Sequence, residues 1–156
     1  MIKITFPDGQ VREFEKGISP FQVALSISEG LARNVLAAKL NDQVVDSSTP
    51  ILADSHLQLL TWNDLSGKAT FWHSSAHLMA EAIESMFPGV KFWVGPSLET
   101  GFYYDIDLGD HQIGEEDLRR LEIKMAELAK QSSAFVRKEI SKADAIHYFS
   151  EKGDQY

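Results

Sequence analysis

Apolar and polar residues alternate along the first six positions, which places Ile2, Ile4 and Phe6 on one side of an extended chain. Alternation with a period of two is typical of a β-strand that buries one face. The turn sequence Pro7-Asp8-Gly9 follows directly, and a return strand begins at Val11. The chain therefore begins with a predicted β-hairpin and not with the continuous apolar stretch of a signal peptide.

Residues 1–62 continue as a compact β-rich unit. Ser19 is followed by Pro20 and Gln22, which predicts a capping box with proline at the first helical position, and Gly30 is expected to end this helix. The remaining predicted elements are a strand at 35–40, a turn at Asn41-Asp42, a short strand at Val44-Val45 and a last strand at 57–62. The order of two strands, a helix and further strands indicates a ubiquitin-like β-grasp.

A second helix is predicted from the apolar residues after position 70, which recur with a period near 3.6. Thr70 is the expected N-cap, and Pro88-Gly89 is the expected end. His73 and His77 lie one turn apart at the margin of the apolar stripe, with the small side chain of Ala80 beside them. Two imidazoles with this spacing can converge on one water, one metal ion or one ester.

This histidine pair has several interpretations. On an amphipathic helix such a pair is more often solvated, or part of a satisfied hydrogen-bond network, than catalytic. Ser74 follows His73, so the glutamate that acts as general base in helical zinc proteases is missing. The chain contains no cysteine, which disfavours a structural zinc site and leaves no thiol nucleophile.

Two aromatic-rich strands are predicted after the histidine helix, at 91–94 and 102–107, with a loop at 97–101 between them. On the second strand Phe102 and Tyr104 would share one face, while Asp105 would lie on the other. One side of this strand can therefore line a pocket.

The last part of the chain reads as two helices with a strand between them. A helix opens with acidic residues after Gly114, a strand is expected at 135–140, and a final helix is capped by Ser141 and ends at Gly153. The residues predicted to be buried by the two helices are Leu118, Leu121, Met125, Leu128, Ala145, Ile146 and Phe149. Between the β-rich unit and the histidine helix, residues 63–68 are polar and are predicted to form a linker.

Composition limits the classes of function. The formal net charge of −8 disfavours a large phosphate-binding surface, because an acidic surface repels a nucleic-acid backbone, so we expect that this chain is not the main anchor for RNA. No apolar run reaches the ~18 residues of a membrane span. We therefore expect a soluble, cytoplasmic protein that does not bind membranes.

The sequence from His73 to Ile83, followed by Val94-Gly95-Pro96 and by the stretch 101–107, resembles the editing domain of bacterial threonyl-tRNA synthetases, a domain shared with alanyl-tRNA synthetases. Residues 1–62 resemble the TGS module of threonyl-tRNA synthetases, certain GTPases and alarmone synthetases. The resemblance covers the whole chain and implies an α+β fold. A β-grasp at 1–62 is then followed by the first part of an editing domain at 63–156.

The resemblance also implies a function. Serine and threonine differ by one methyl group, a difference that a binding pocket can distinguish by only ~1–3 kcal/mol, so a second, hydrolytic site is needed. In that site His73 and His77 would position the attacking water or the ribose hydroxyls of seryl-tRNA. Tyr104 and Asp105 would hold the adenosine end or the ammonium group of the amino acid. The full-length enzyme would be a homodimer that binds the 3′ end of tRNA and uses ATP, Mg²⁺ and Zn²⁺.

The sequence is shorter than the members of the family that it resembles. Family members continue past the segment matching Gly153 with a lysine, and then with a cysteine and histidine pair that faces the histidine helix. We therefore expect an N-terminal fragment that is inactive alone and has no certain cofactor. One alternative is a free-standing TGS-type binding or regulatory module. Another is a small metal-binding protein that uses His73, His77 and a carboxylate such as Asp105.

Overall fold

The computed structural model describes residues 1–136 and 138–153 and has an α+β architecture. Contacts within the chain divide it into two units, Met1–Trp72 and His73–Tyr156, which are described separately below. No helix in the described ranges is both long enough and apolar enough to cross a membrane.

The first unit is built on a five-stranded mixed sheet. Its strands and helices are β1 (Ile2–Thr5), β2 (Val11–Phe14), α1 (Pro20–Ile27), α2 (Glu29–Asn34), β3 (Ala37–Leu40), β4 (Gln43–Val45) and β5 (Ser55–Leu60). The strand order is β2-β1-β5-β3-β4, in which β1 and β5 are parallel and the other neighbours are antiparallel. The predicted β-grasp is confirmed.

Local sequence signals explain much of this unit. The hydroxyl of Ser19 accepts a hydrogen bond from the Gln22 N–H, and the Gln22 side chain accepts one from the Ser19 N–H, which forms the predicted capping box. Asn41 and Asp42 both have positive φ values, 46° and 70°, as a two-residue hairpin turn requires. The core consists of Ile2, Ile4, Val23, Ala38, Ile51 and Leu57.

The predicted end of the first helix at Gly30 is wrong. Helix α1 ends at Ile27, and Ser28 then caps α2 by accepting a hydrogen bond from the Leu31 N–H at 3.0 Å. Gly30 therefore lies inside α2, and the Ser28 cap stabilises the first turn of this second helix.

Helix α3 (Leu65–Met86) starts earlier than the sequence predicts. The carboxylate of Asp64 accepts a 2.8 Å hydrogen bond from the Thr61 N–H, and the Asp64 carbonyl accepts the Lys68 N–H, so the helix begins directly after Asp64. The predicted linker at 63–68 is therefore mostly helical. The predicted N-cap, Thr70, lies inside the helix, where its hydroxyl donates a hydrogen bond to a carbonyl one turn earlier.

The second unit contains two short antiparallel ladders in place of long strands. They join β6 (Lys91–Phe92) to β9 (Ile106–Asp107), and β7 (Ser97–Leu98) to β8 (Gly101–Phe102). The segment predicted as a loop is therefore partly a tight hairpin, and the strand predicted at 102–107 is interrupted at 103–105. The alternation along that segment is confirmed, because Phe102, Tyr104 and Ile106 are half-buried while Tyr103, Asp105 and Asp107 are exposed.

Helices α4 (Glu115–Gln131) and α5 (Lys142–Lys152) occur where the sequence predicts them. Their predicted burial is only partly correct. Leu121 is buried against Ala82 and Ile83 of α3, whereas Leu118 is exposed. On α5 no residue is buried, and the predicted core residues Ile146 and Phe149 are exposed. The predicted strand at 135–140 is absent from its described residues 135, 136 and 138–140, and position 137 lies outside the described ranges.

Candidate functional site

The two histidines of α3 meet as their spacing predicts. The Nε2 atoms of His73 and His77 are 3.0 Å apart, and the ring planes cross at 77° with centroids 4.7 Å apart. Both side chains are exposed, whereas Ala76 between them is buried. A hydrogen bond between two imidazole nitrogens needs one donor and one acceptor, so at least one of the two rings is neutral.

The pKa of His77 is lowered from its ordinary value of 6.5. The main cause is partial burial, which disfavours the charged imidazolium, and repulsion from His73 adds to it. His77 is therefore neutral near pH 7, and a neutral imidazole can accept a proton from a water or a hydroxyl.

An open pocket of about 440 Å³ lies beside His77, entirely within the second unit. Its lining residues are His77, Ala80, Glu81, Glu84, Phe92, Trp93, Tyr104, Phe149 and Lys152. The pocket thus combines an imidazole, three aromatic rings from the β6–β9 region, two acids and one lysine. Ala80, the small residue predicted beside the two histidines, is one of the lining residues.

The predicted site residues are only partly brought together. His77 and Tyr104 line the pocket, and His73 adjoins it through its hydrogen bond to His77. Asp105 is not among the lining residues. The backbone explains this difference, because side chains of consecutive residues in an extended segment point to opposite faces, and Tyr104 is half-buried while Asp105 is exposed.

Backbone hydrogen bonds fix the segment that carries Tyr104. The Trp93 N–H donates to the Asp105 carbonyl at 2.9 Å, and the Asp105 N–H donates to the Val94 carbonyl at 2.8 Å. The Tyr104 ring meets Phe92 edge-on, with centroids 5.2 Å apart and planes crossing at 74°. Tyr104 is therefore held by the backbone hydrogen bonds of the next residue and by a neighbouring ring.

Sequence reasoning missed six of the lining residues, namely Glu81, Glu84, Phe92, Trp93, Phe149 and Lys152. The two glutamates follow from helix geometry, since positions 77, 80, 81 and 84 share one face of α3. No local signal places the residues of α5 at this pocket. There, Lys152 pairs with Glu84 at 3.0 Å, a contact across a long stretch of sequence.

Two other histidines have structural contacts outside the pocket. His111 is exposed, as expected for a loop residue, and its ring nitrogen lies 3.0 Å from the Asp117 carboxylate while its ring packs against Phe87. His147 is exposed and pairs with Glu151 at 3.2 Å.

Metal ligands are sparse around the histidine pair. Among residues 1–136 and 138–153, no group of three or more His, Cys, Asp and Glu side chains is arranged to hold a metal ion. Asp105 therefore does not join His73 and His77 in such a group.

The fold and the comparisons together define the class of the first unit. Residues 2–61 match the TGS domain family, in agreement with the β-grasp sheet, so this unit is a TGS domain.

The whole chain is also similar to individual proteins. It is 62% identical over 156 residues to "Threonine--tRNA ligase" of Cytophaga hutchinsonii and 51% identical over 156 residues to the protein of the same name from Parabacteroides distasonis. It is 48% identical over 151 residues to the one from Flavobacterium psychrophilum. The matches cover 97–100% of this chain but only 23–24% of each relative. The chain therefore spans about a quarter of the length of these relatives and is similar to their N-terminal region.

Proposed function

We propose that residues 63–156 form part of a post-transfer editing site, in which serine is hydrolysed from threonine tRNA that has been mischarged with it. The observation that carries this proposal is the 3.0 Å contact between His73 and His77 beside an aromatic-walled pocket. The relatives are named as ligases of threonine and tRNA, and a ligase for threonine needs a second site to remove serine.

The chemistry is hydrolysis of an ester. The oxygen of a water attacks the carbonyl carbon of the seryl group, the bond to the ribose oxygen breaks, and a proton passes to that oxygen. With its Nε2–H donated to the Nε2 of His73, neutral His77 accepts a proton from the water at Nδ1 or orients a ribose hydroxyl there, and the same hydrogen bond holds the His77 ring.

Tyr104 and Asp105 take different places in this proposal. Tyr104 lines the pocket and holds the adenosine end of the tRNA by contact with its ring. Asp105 is exposed on the opposite face of the segment, so its proposed contact with the amino-acid ammonium requires a change in this segment when substrate binds.

The remaining functions belong to a larger protein. We propose that a complete ligase containing this chain joins threonine to tRNA with ATP, Mg²⁺ and Zn²⁺, acts as a homodimer in the cytoplasm and contacts the 3′ end of tRNA. This chain supplies the TGS domain and part of the editing pocket. It has no editing activity alone, because further converging groups are needed.

A chimera tests the editing role. The matching region of the Cytophaga hutchinsonii ligase, to which this chain is 62% identical, is replaced by this chain, and deacylation of seryl-tRNA is measured. We expect the chimera to deacylate and His77→Ala to lower the rate by about 10²–10⁴-fold, the usual range for loss of a general base. His73→Ala is expected to lower it as well, since His77 then loses its partner.

His147→Ala is the matched control, since it removes an exposed imidazole of the same unit that does not line the pocket. It should leave deacylation unchanged. Unchanged rates in both pocket variants would instead favour the rival function, a TGS-type binding or regulatory module in which the histidine pair has no chemical role.

A further inference from the structure

We propose that Gly95 is a positioning residue for Tyr104, because the missing side chain at this position leaves the space that the Tyr104 ring occupies in the pocket wall. The proposal deepens the editing function proposed above, on which its catalytic consequence rests. Its structural part concerns only the packing of two residues.

The packing of the Tyr104 ring against Gly95 is the first observation. A Cβ built on Gly95 would overlap the Cδ2, Cε2 and Cζ atoms of that ring, far inside van der Waals contact. Gly95 is not among the glycines with positive φ, so its backbone conformation is open to alanine. The requirement for glycine at this position is therefore steric.

The backbone beside this contact is held, while the ring can move. Two hydrogen bonds join Trp93 and Val94 to Asp105 next to the contact, whereas the ring, which Phe92 meets edge-on from β6, borders an open pocket. A methyl group at position 95 therefore displaces the ring from Phe92.

Displacement of the ring changes the pocket without touching its imidazole. Tyr104 and His77 line the same pocket, but Gly95 does not line it. Gly95→Ala thus moves one wall while leaving the histidine pair intact. A displacement of about 1 Å in a substrate-positioning group can cost about 10²-fold in rate.

NMR spectroscopy of the 156-residue chain tests the structural part. We expect NOEs between the Gly95 Hα protons and the Tyr104 ring protons, and between the rings of Tyr104 and Phe92. In Gly95→Ala the contacts between the two rings should disappear, while the His73 and His77 ring shifts stay unchanged. Gly114→Ala is the matched control, since an added Cβ there meets nothing nearer than 4.0 Å and φ is an ordinary −104°.

Deacylation of seryl-tRNA by the chimeric ligase tests the catalytic part. Gly95→Ala and Tyr104→Ala are each expected to slow deacylation about tenfold or more, and the double variant to be no slower than the slower single variant, because both changes remove the same wall. Aminoacylation with threonine should be unchanged in Gly95→Ala.

Two results would overturn the proposal. One is retention of the contacts between the Tyr104 and Phe92 rings in Gly95→Ala, and the other is a double variant whose loss is the product of the two single losses. Failure of the editing function itself shows differently, as unchanged deacylation in the His73→Ala and His77→Ala variants, and leaves the NMR result as it stands.

Discussion

The two units of this chain bury their apolar residues to very different degrees. In the TGS domain Ile4, Val23 and Ile51 have no exposed surface and Leu57 is 1% exposed. From His73 onward the described residues bury mainly small side chains or single large ones, namely Ala76, Ala82, Ile83 and Leu121. Large apolar side chains in that part, including Trp93 and Ile123, remain more than 60% exposed.

This contrast separates the unit with the larger packed core from the unit that carries the candidate site. Burial of apolar area is the main favourable term in folding, so the first unit gains more of its stability from its core. The histidine pair and the pocket lie on the unit with the smaller core. There, polar contacts such as Glu84 with Lys152 and His111 with Asp117 join elements that share little buried surface.

The largest expected effect on stability comes from an isoleucine-to-alanine substitution, which is made once in each unit to test this contrast. Ile4→Ala should lower the free energy of unfolding of the first unit by about 2–5 kcal/mol, because it opens a cavity in a packed core. Ile123→Ala removes the same atoms from an exposed position on α4 and should change stability by less than about 0.5 kcal/mol. Urea unfolding followed by amide NMR signals of each unit measures both. Equal losses would show that the second unit has a core comparable to the first.

A smaller effect is expected from a pair of glycines in the first unit. Gly67 is buried at the start of α3, where an added Cβ would overlap the carbonyl of Thr61, so Gly67→Ala should destabilise this unit by about 1–3 kcal/mol. Gly30 lies in α2, where an added Cβ would meet nothing nearer than the Ser28 hydroxyl at 4.0 Å, and Gly30→Ala should stabilise the unit by up to about 1 kcal/mol.

Thermal unfolding of the two glycine variants beside the unmodified chain provides the measurement. The two variants are expected to change the stability of the unit in opposite directions, and this difference in sign is the most direct test. A loss of stability in Gly30→Ala would show that an added Cβ does not fit at residue 30, and unchanged stability in Gly67→Ala would show that packing at residue 67 is looser than the contact with Thr61 indicates.

The first unit could be predicted well because its signals are local. Alternation at residues 2–6, the capping box at Ser19 and the turn at Asn41-Asp42 each act over a few residues, and all three agree with the observed sheet. The errors occurred where a second local signal competed with the first. Ser28 starts a new helix before Gly30 can end the first one, and Asp64 starts α3 ahead of Thr70.

The pocket could be predicted only in part, because its wall combines local and distant residues. The spacing of His73 and His77 on one helix is sufficient to predict their contact, and alternation separates Tyr104 from Asp105. The approach of α5 depends on tertiary packing. A pattern of Ala145, Ile146 and Phe149 indicates an apolar helix face, but it does not show that Phe149 lines an open pocket.

The smallest effect concerns a polar contact of the second unit, at the start of α4. The Asp117 carboxylate accepts a 3.1 Å hydrogen bond from the Gly114 N–H and lies 3.0 Å from the ring nitrogen of His111. Its pKa is lowered from the ordinary 3.8, mainly by the backbone hydrogen bond from Gly114 and further by His111. The charged form of this side chain is thus favoured in the folded state.

Because the pKa of Asp117 is lower in the folded than in the unfolded chain, its carboxylate stabilises the fold above the unfolded pKa, and this contribution is lost as the pH falls through the folded pKa. We therefore expect the second unit to lose stability as the pH falls to the ordinary pKa of 3.8 and below it, and Asp117→Asn to be less stable at pH 7 and less sensitive to acid. Asp110→Asn, at an exposed acid in the preceding turn, is the matched control and should follow the unmodified chain. Amide hydrogen exchange of α4 between pH 7 and pH 3 measures this difference, and equal acid sensitivity in the Asp117→Asn variant and the unmodified chain would show that the cap does not stabilise the helix.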